Sequence, residues 1–170
     1  NRSADDAHTL RDVRRMIKRI NKTFGTDVID YEEFICSTLP IDQRLSLWTS
    51  SDVLIVTPVR EGFNPIPLEY VYAKKEDDVG GVVITSEFSA ISSILNGALR
   101  VNPYDIQTAV TSIDKALSMS SQERESRRLR DIEFVSSCPS GTWTRNVLRD
   151  LRDATTGLNA KQGGSAAAVS

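Results

Sequence analysis

The stretch Asp52-Val-Leu-Ile-Val-Thr-Pro58 decides the fold class of this 170-residue chain. It is a nearly continuous apolar run, typical of a strand that is buried on both faces of a parallel sheet. Similar runs cover residues 81–85 and 98–101, and a run of mixed β-branched and aromatic residues covers 28–36. Segments with helical patterns separate these runs, which indicates βαβ units with right-handed crossovers. The sequence therefore predicts an α/β fold with a parallel sheet and flanking helices.

The predicted helices follow from apolar residues at steps of three and four and from residues that start or stop a helix. The predicted ranges are 5–24, from Pro40 and Asp42 to Trp48, 64–74, a helix opened by Asn102-Pro103, 121–135 and 142–153. Gly25 is placed to end the first helix. We expect Trp48 to pack in the core, and the last helix to bury Trp143, Val147, Leu148 and Leu151.

The end of the chain changes composition after Thr155, where glycine, serine and alanine dominate. Such a composition is typical of a linker. We therefore predict one domain over residues 1–154 and a flexible linker or tail over 155–170.

Charge and composition exclude several classes of function. The net charge of −2 and the pI near 5.5 give no case for a nucleic-acid partner, which requires clustered Lys and Arg. Two basic runs, 11–19 and 124–130, are interleaved with acidic residues and are interpreted as solvated helix faces, with a binding patch as the alternative. Cys36 and Cys138 lie about a hundred residues apart without a CxxC pair, and His8 is the single His, so no zinc site, no other metal and no cofactor are expected.

No apolar stretch approaches the length of a membrane span, so no membrane partner is expected. The simplest expectation for the location is a reducing cytoplasm. The sequence begins without an initiator Met, so the absence of a targeting signal at this end carries little weight.

The loop after the strongest strand is the candidate site, because ligands in open α/β sheets bind beyond the carboxyl ends of the strands. Gly62 permits a tight turn there, Asn64 can start the next helix, and Glu69 lies about one turn into it. A helix start offers N–H groups to phosphate, and a carboxylate accepts ribose hydroxyls. An ordinary loop with a helix cap remains the alternative interpretation of these residues.

Ordered blocks along residues 1–153 carry a family resemblance. The blocks are Arg19-Ile20-Asn21, Phe24-Gly25, Ser51-Asp-Val-Leu-Ile-Val-Thr-Pro-Val-Arg-Glu-Gly-Phe-Asn64, Glu69-Tyr70, Val82-Val-Ile-Thr-Ser-Glu-Phe88, Val101-Asn-Pro-Tyr-Asp105, and Met119 with Glu123-Arg124. Together they resemble the trehalose-6-phosphate synthases and their non-catalytic relatives. The resemblance implies the incomplete C-terminal domain of a GT-B fold, a Rossmann-like nucleotide-sugar-binding domain. Its first strands, the N-terminal domain and the residues that clamp the donor diphosphate would precede residue 1.

The resemblance also implies an activity and partners. Such a cytoplasmic glycosyltransferase transfers glucose from UDP-glucose to glucose 6-phosphate with retention and without a metal, in trehalose biosynthesis. The implied partners are these two substrates, the missing N-terminal domain of the same protein, and a homo-oligomer or other synthase subunits. The fragment by itself is expected to be inactive. The alternative is a non-catalytic regulatory subunit that binds a partner or a sugar phosphate.

Site residues carry over position by position. Glu61 stands where the family has an Asp that contacts the transferred sugar, and Glu69 matches the ribose-binding Glu. The donor-phosphate stretch comprises Gly62, Phe63, Asn64, Pro65 and Ile66, with Phe63 where Met is usual. Arg2 resembles an Arg that reaches the acceptor phosphate, and Thr38 with Leu39 falls near the main-chain contacts to uracil.

The departures from the family pattern have physical consequences. Proline has no N–H, so Pro65 and Pro67 remove donors from the turn that holds the donor phosphates. Glu61 is one methylene longer than Asp, which moves its carboxylate by about 1 Å. These substitutions favour the non-catalytic alternative, whereas Asn64 and Glu69 favour the enzyme.

Overall fold

The computed structural model describes residues 2–25, 28–30, 39–75, 80–137 and 140–166, with only the backbone described at 2–6, 140 and 157–166. The chain divides into two compact units, residues 1–40 and residues 41–170. Cys36 and Cys138 lie outside the described residues.

The first unit is built on helix α1, Arg2–Phe24. Gly25 ends the helix with a φ of 126°, and its N–H donates to the carbonyl of Asn21 at 3.1 Å. The Asn21 side chain holds Ile29 beside the end of the helix, because it donates to the Ile29 carbonyl and accepts from the Ile29 N–H, both at 2.8 Å. The predicted strand is wrong at 28–30, where the chain bends, and its remainder lies outside the described residues.

The second unit contains a parallel sheet with the strand order β1-β2-β3. The strands are β1 Val53–Val56, β2 Val82–Ser86 and β3 Leu99–Val101. Val53 pairs with Val82, and Ile84 pairs with Leu99, in parallel register. The three strands predicted from the later apolar runs are therefore confirmed as parallel neighbours, each within a few residues of its predicted bounds.

Helices follow or precede each strand of this unit. They are α2 Ile41–Ser50, α3 Ile66–Ala73, a short 3-10 helix Ala90–Ser93, α4 Ile106–Ser118, α5 Ser121–Ser137 and α6 Ser140–Ala166. The core lies on both faces of β2, as expected for a central parallel strand. Val83 packs with Tyr70, Val71 and Ile132 on one face. Ile84 packs with Val101, Ala116 and Met119 on the other.

The start of α4 differs from its prediction. Asn102-Pro103 looks like a cap followed by a first-turn proline, but the helix begins at Ile106 with Asp105 as its cap. The Asp105 carboxylate accepts from the N–H of Thr108 at 3.1 Å and from its hydroxyl at 2.5 Å. These hydrogen bonds lower the pKa of Asp105, with the Thr108 side chain as the largest cause. Asn102 instead forms its own turn by accepting from the N–H of Tyr104.

The predictions for α6 are wrong in two respects. The backbone stays helical to Ala166, well beyond the predicted end of the helix at 153, while the flexible linker or tail over 155–170 stays a prediction. The side chain of Trp143 is 66% exposed, and Leu148 and Leu151 are also exposed. Helical spacing predicts which residues share a face, but the described residues leave most of this one exposed, with only Val147 half-buried.

Candidate functional site

The loop between β1 and α3 lies at the carboxyl edge of the sheet. Glu61 forms a parallel bridge with Ser89, which lies in the loop after β2. Phe88 in that loop meets Tyr104, in the loop after β3, with ring centroids 6.2 Å apart. Three loops that follow three neighbouring strands therefore come together at the edge where ligands of open α/β sheets bind.

Glu61 and Asn64 organise the turn into α3. The Asn64 amide donates to Glu61 Oε1 at 3.0 Å, and the Ser89 hydroxyl lies 3.5 Å from Glu61 Oε2. The other end of the Asn64 amide, Oδ1, accepts from the N–H of Ile66 at 3.0 Å. Asn64 thus acts as a hydrogen-bonded turn residue, as the sequence indicates, and it fixes the carboxylate of Glu61 beside the helix start.

The amino terminus of α3 has few N–H groups to offer. Pro65 is the N-cap, with φ −75° and ψ −16°, and Pro67 is the second residue of the helix. Neither has an N–H, and the N–H of Ile66 between them is already bonded to Asn64. A helix start binds phosphate through such groups and through its dipole. The start of α3 is therefore even poorer in free N–H donors than the prolines alone indicate, because the N–H of Ile66 is bonded to Asn64.

Gly62 and Phe63 face open space. Among the described glycines, Gly25 and Gly80 have positive φ, so the chain bends at Gly62 in a conformation open to any residue. A Cβ added at Gly62 would meet nothing within 4 Å, and Phe63 is 66% exposed. The fold of the described chain does not require glycine at this position, and the space beside it is available to a ligand.

Glu69 forms an ion pair that the sequence analysis missed. Its Oε2 atom lies 3.1 Å from Nε of Arg44 in α2, and both side chains are half-buried, with Glu69 33% and Arg44 24% exposed. Both atoms are shielded from solvent, and neither has a hydrogen bond to any described residue, so the contact between them is an ion pair without hydrogen-bond geometry. The pairing depends on how α2 packs against α3, so no local pattern around residue 44 indicates it.

The other predicted site residues belong to residues 1–40. Arg2 is the first residue of α1, and its side chain is not described. Thr38 lies outside the described residues, and Leu39 is half-buried beside Pro40. The predicted roles of these three residues stay predictions.

The described part of the chain contains neither a candidate metal site nor a candidate membrane-spanning helix. No group of three or more His, Cys, Asp or Glu residues there could hold a metal ion. None of the helices in the same ranges combines the length and the apolar character that crossing a membrane requires.

Comparisons with known proteins assign the chain to a family. The model of glycosyltransferase family 20 matches residues 1–153. A UDP-forming alpha,alpha-trehalose-phosphate synthase of Candida albicans is 32% identical over 139 residues, which cover 82% of this chain and 29% of that protein. This chain thus spans less than a third of that relative, and 17% of a UDP-forming synthase of Arabidopsis thaliana that is 30% identical to it.

Solved structures agree with this assignment. The alpha,alpha-trehalose 6-phosphate synthase of Burkholderia multivorans superposes with a TM-score of 0.76 at 28% identity, over 93% of this chain and 34% of that one. The N-terminal domain of a trehalose-6-phosphate phosphatase from Candida albicans also gives 0.76, at 29% identity, over 86% of this chain and 31% of that one. An Escherichia coli structure bound with UDP-2-fluoro glucose gives 0.70 at 30% identity, over 83% and 32%.

Proposed function

Because this chain belongs to glycosyltransferase family 20, we propose that it forms the donor-binding part of a trehalose-6-phosphate synthase. The whole protein would transfer glucose from UDP-glucose to glucose 6-phosphate, with retention, without a metal, and in the cytoplasm. The observation that carries the proposal is the grouping of Glu61, Asn64 and Glu69 on one strand-to-helix connection at the carboxyl edge of a parallel sheet. The chain spans a minor part of its relatives, so turnover requires the rest of the protein.

The chemistry of the connection suits a nucleotide sugar. The Glu61 carboxylate lies beside the helix start and can accept a hydroxyl of the transferred glucose. Open space next to Gly62 leaves room for the donor phosphates, where the dipole of α3 favours negative charge. Glu69, one turn further on, can accept a ribose hydroxyl. The order sugar, phosphate, ribose along the loop and helix matches the order of groups in UDP-glucose.

The remaining assignments extend this proposal beyond the loop. Arg2 would contact the acceptor phosphate, and the main chain at Thr38 and Leu39 would contact uracil. The remaining strands and the N-terminal domain of the same protein would complete the cleft. The whole protein would act as a homo-oligomer or in a complex with other synthase subunits.

A second candidate function is a non-catalytic, regulatory synthase-like subunit. Two observations favour it: the lack of free N–H donors from Pro65 to Pro67, where the prolines have none and that of Ile66 is bonded to Asn64, and the internal ion pair at Glu69. The same fold occurs, at an equal TM-score, in a solved domain that belongs to a phosphatase. Such a subunit would keep the fold and bind a partner or a sugar phosphate without transferring glucose.

Calorimetric titration of UDP into the full-length protein distinguishes the two. Glu69→Ala should weaken binding about tenfold or more, because a hydrogen bond to a charged group contributes roughly 1.5 to 3 kcal/mol. Pro65→Leu should strengthen binding, because it restores an N–H at the helix start. Glu133→Ala, at an exposed position of α5, is the matched control and should change nothing.

Each outcome selects one function. Measurable UDP binding that responds to Glu69→Ala supports the donor site, and turnover of UDP-glucose by the same protein supports the enzyme. A measurable UDP affinity that neither substitution alters places the nucleotide elsewhere and overturns the proposal. If UDP binds only after Pro65→Leu, the regulatory function is correct.

A further inference from the structure

We propose that Arg44 determines the ribose specificity of this site, by closing off one oxygen of Glu69 and leaving only the other open to the ribose hydroxyls. The inference rests on the proposed function, since it concerns the carboxylate that would hold the nucleotide ribose. It goes further, because it assigns a role to a residue on a different helix and states what that residue does to the ligand.

The geometry divides the Glu69 carboxylate into two unlike oxygens. Oε2 lies 3.1 Å from Arg44 Nε and is closed off from solvent. Oε1 remains open to solvent and accepts no hydrogen bond from the described residues. A ligand can therefore reach Oε1 directly, whereas it can reach Oε2 only if the Arg44 side chain moves away.

The division limits what the carboxylate can recognise. A ribose presents two neighbouring hydroxyls, the 2′ and the 3′, and an unpaired carboxylate can accept one on each oxygen. With Oε2 closed off beside Arg44, the two hydroxyls cannot each take a separate oxygen and would have to share Oε1. The positive charge of Arg44 also offsets the charge of the carboxylate, which weakens the remaining hydroxyl contact. Arg44 thus lowers the affinity for a ribonucleotide. It also reduces the difference in affinity between a ribonucleotide and the corresponding deoxyribonucleotide.

The helix packing holds Arg44 over Glu69. Lys74 of the α3 C-cap donates to the carbonyl of Thr49 at 2.6 Å, and the Tyr70 hydroxyl donates to the carbonyl of Ser51 at 3.0 Å. These contacts bind α3 to the end of α2, so the helices that carry the ion pair are fixed relative to each other. The pair therefore opens through movement of the Arg44 or Glu69 side chain rather than through separation of the helices, and a substitution of Arg44 removes it while leaving the Glu69 carboxylate in place.

The test measures UDP, 2′-deoxy-UDP and 3′-deoxy-UDP binding to the full-length protein and to Arg44→Leu by calorimetry. Arg44→Leu should bind UDP about tenfold more tightly, the value of one added hydrogen bond to a charged group. The gain should disappear for at least one of the two deoxynucleotides. Arg44→Gln, which keeps a polar side chain without the charge, should give a smaller gain and serves if Arg44→Leu does not fold. Arg130→Leu removes an exposed charge from α5 and is the control.

The outcomes separate this inference from the proposed function. If Glu69→Gln weakens UDP binding while Arg44→Leu leaves it unchanged, the ribose site is correct and the role of Arg44 is wrong. Weaker binding by Arg44→Leu also overturns the inference, since Arg44 would then help to position Glu69. If Glu69→Gln has no effect in either background, the nucleotide does not contact Glu69, and both proposals fail. UDP binding that appears only in Arg44→Leu supports the inference.

Discussion

Asp131 in α5 shows how a single buried carboxyl can make stability depend on pH. The residue is 4% exposed, and burial raises its pKa from 3.8 to about 6. A hydrogen bond from the N–H of Gly97, at 2.6 Å, opposes the shift, as do the charges of Arg130 and Arg127. The close approach of Asp131 also requires glycine at position 97, because an added Cβ would collide with the Arg127 carbonyl and the Asp131 carboxylate.

The raised pKa of Asp131 predicts that the contribution of this residue to the free energy of unfolding falls as the pH rises. The folded protein holds this proton up to about pH 6, whereas the unfolded chain releases it near 3.8. The contribution of Asp131 to the free energy of unfolding should therefore be greatest below about pH 4 and decrease by about 2 to 3 kcal/mol by pH 6 to 7. Asp131→Asn keeps an acceptor for Gly97 but cannot ionise, so it should flatten this decrease.

Urea denaturation between pH 4 and pH 7 measures the effect. Asp114→Asn, at an exposed position of α4, is the control and should keep the wild-type profile. An Asp131→Asn profile parallel to that of the wild type would show that Asp131 does not titrate in this range.

At the scale of elements, α2 and α3 are joined by side chains that reach from one helix to the end of the other. Carbonyl groups at the end of α2 accept hydrogen bonds from Lys74, which is 5% exposed, and from the Tyr70 hydroxyl. The rings of Trp48 and Tyr70 meet edge to face, with centroids 6.3 Å apart. A cation at a helix carboxyl terminus is favoured by the dipole, so this junction is a stable part of the second unit.

The junction predicts unequal effects of two conservative substitutions. Lys74→Met keeps most of the apolar stem but removes a charged hydrogen bond, so it should cost about 1.5 to 3 kcal/mol of unfolding free energy. Tyr70→Phe removes a neutral hydrogen bond and should cost about 1 kcal/mol. Guanidinium denaturation of both variants checks the order. A larger loss for Tyr70→Phe would mean that the Lys74 contact contributes little.

Local patterns predict some of these elements and not others, for physical reasons. β2 can be predicted because a strand with both faces buried needs a continuous apolar run, and Val82 to Ser86 is buried throughout. The start of α4 is mispredicted because Asn102 and Asp105 are both capping residues, and only the contacts of Thr108 decide between them. The loop at Glu61 can be located because its place follows from strand order, but the Arg44 to Glu69 pair depends on helix packing.

At the scale of the whole molecule, the core of the second unit is centred on β2, and α6 adds little to it. Large buried side chains come from β2, α3 and the segment around Ile91 and Leu95. Trp48 packs against this core from α2. Trp143 on α6 has the helical spacing that predicted a core residue, yet it is 66% exposed. Burial is a property of the neighbours of a helix face, which the sequence of that helix does not contain.

The different burial of the two tryptophans predicts unequal losses of unfolding free energy when each is replaced by alanine in the 170-residue chain. Trp48→Ala removes a ring that packs on Tyr70 and the core, and it should cost about 3 kcal/mol or more. Trp143→Ala removes a mostly solvated ring and should change the unfolding free energy by about 0.5 kcal/mol or less. Guanidinium denaturation followed by circular dichroism measures both without relying on tryptophan fluorescence. Equal losses for the two variants would show that α6 packs against the core through Trp143, and that its apolar face is covered within the chain itself.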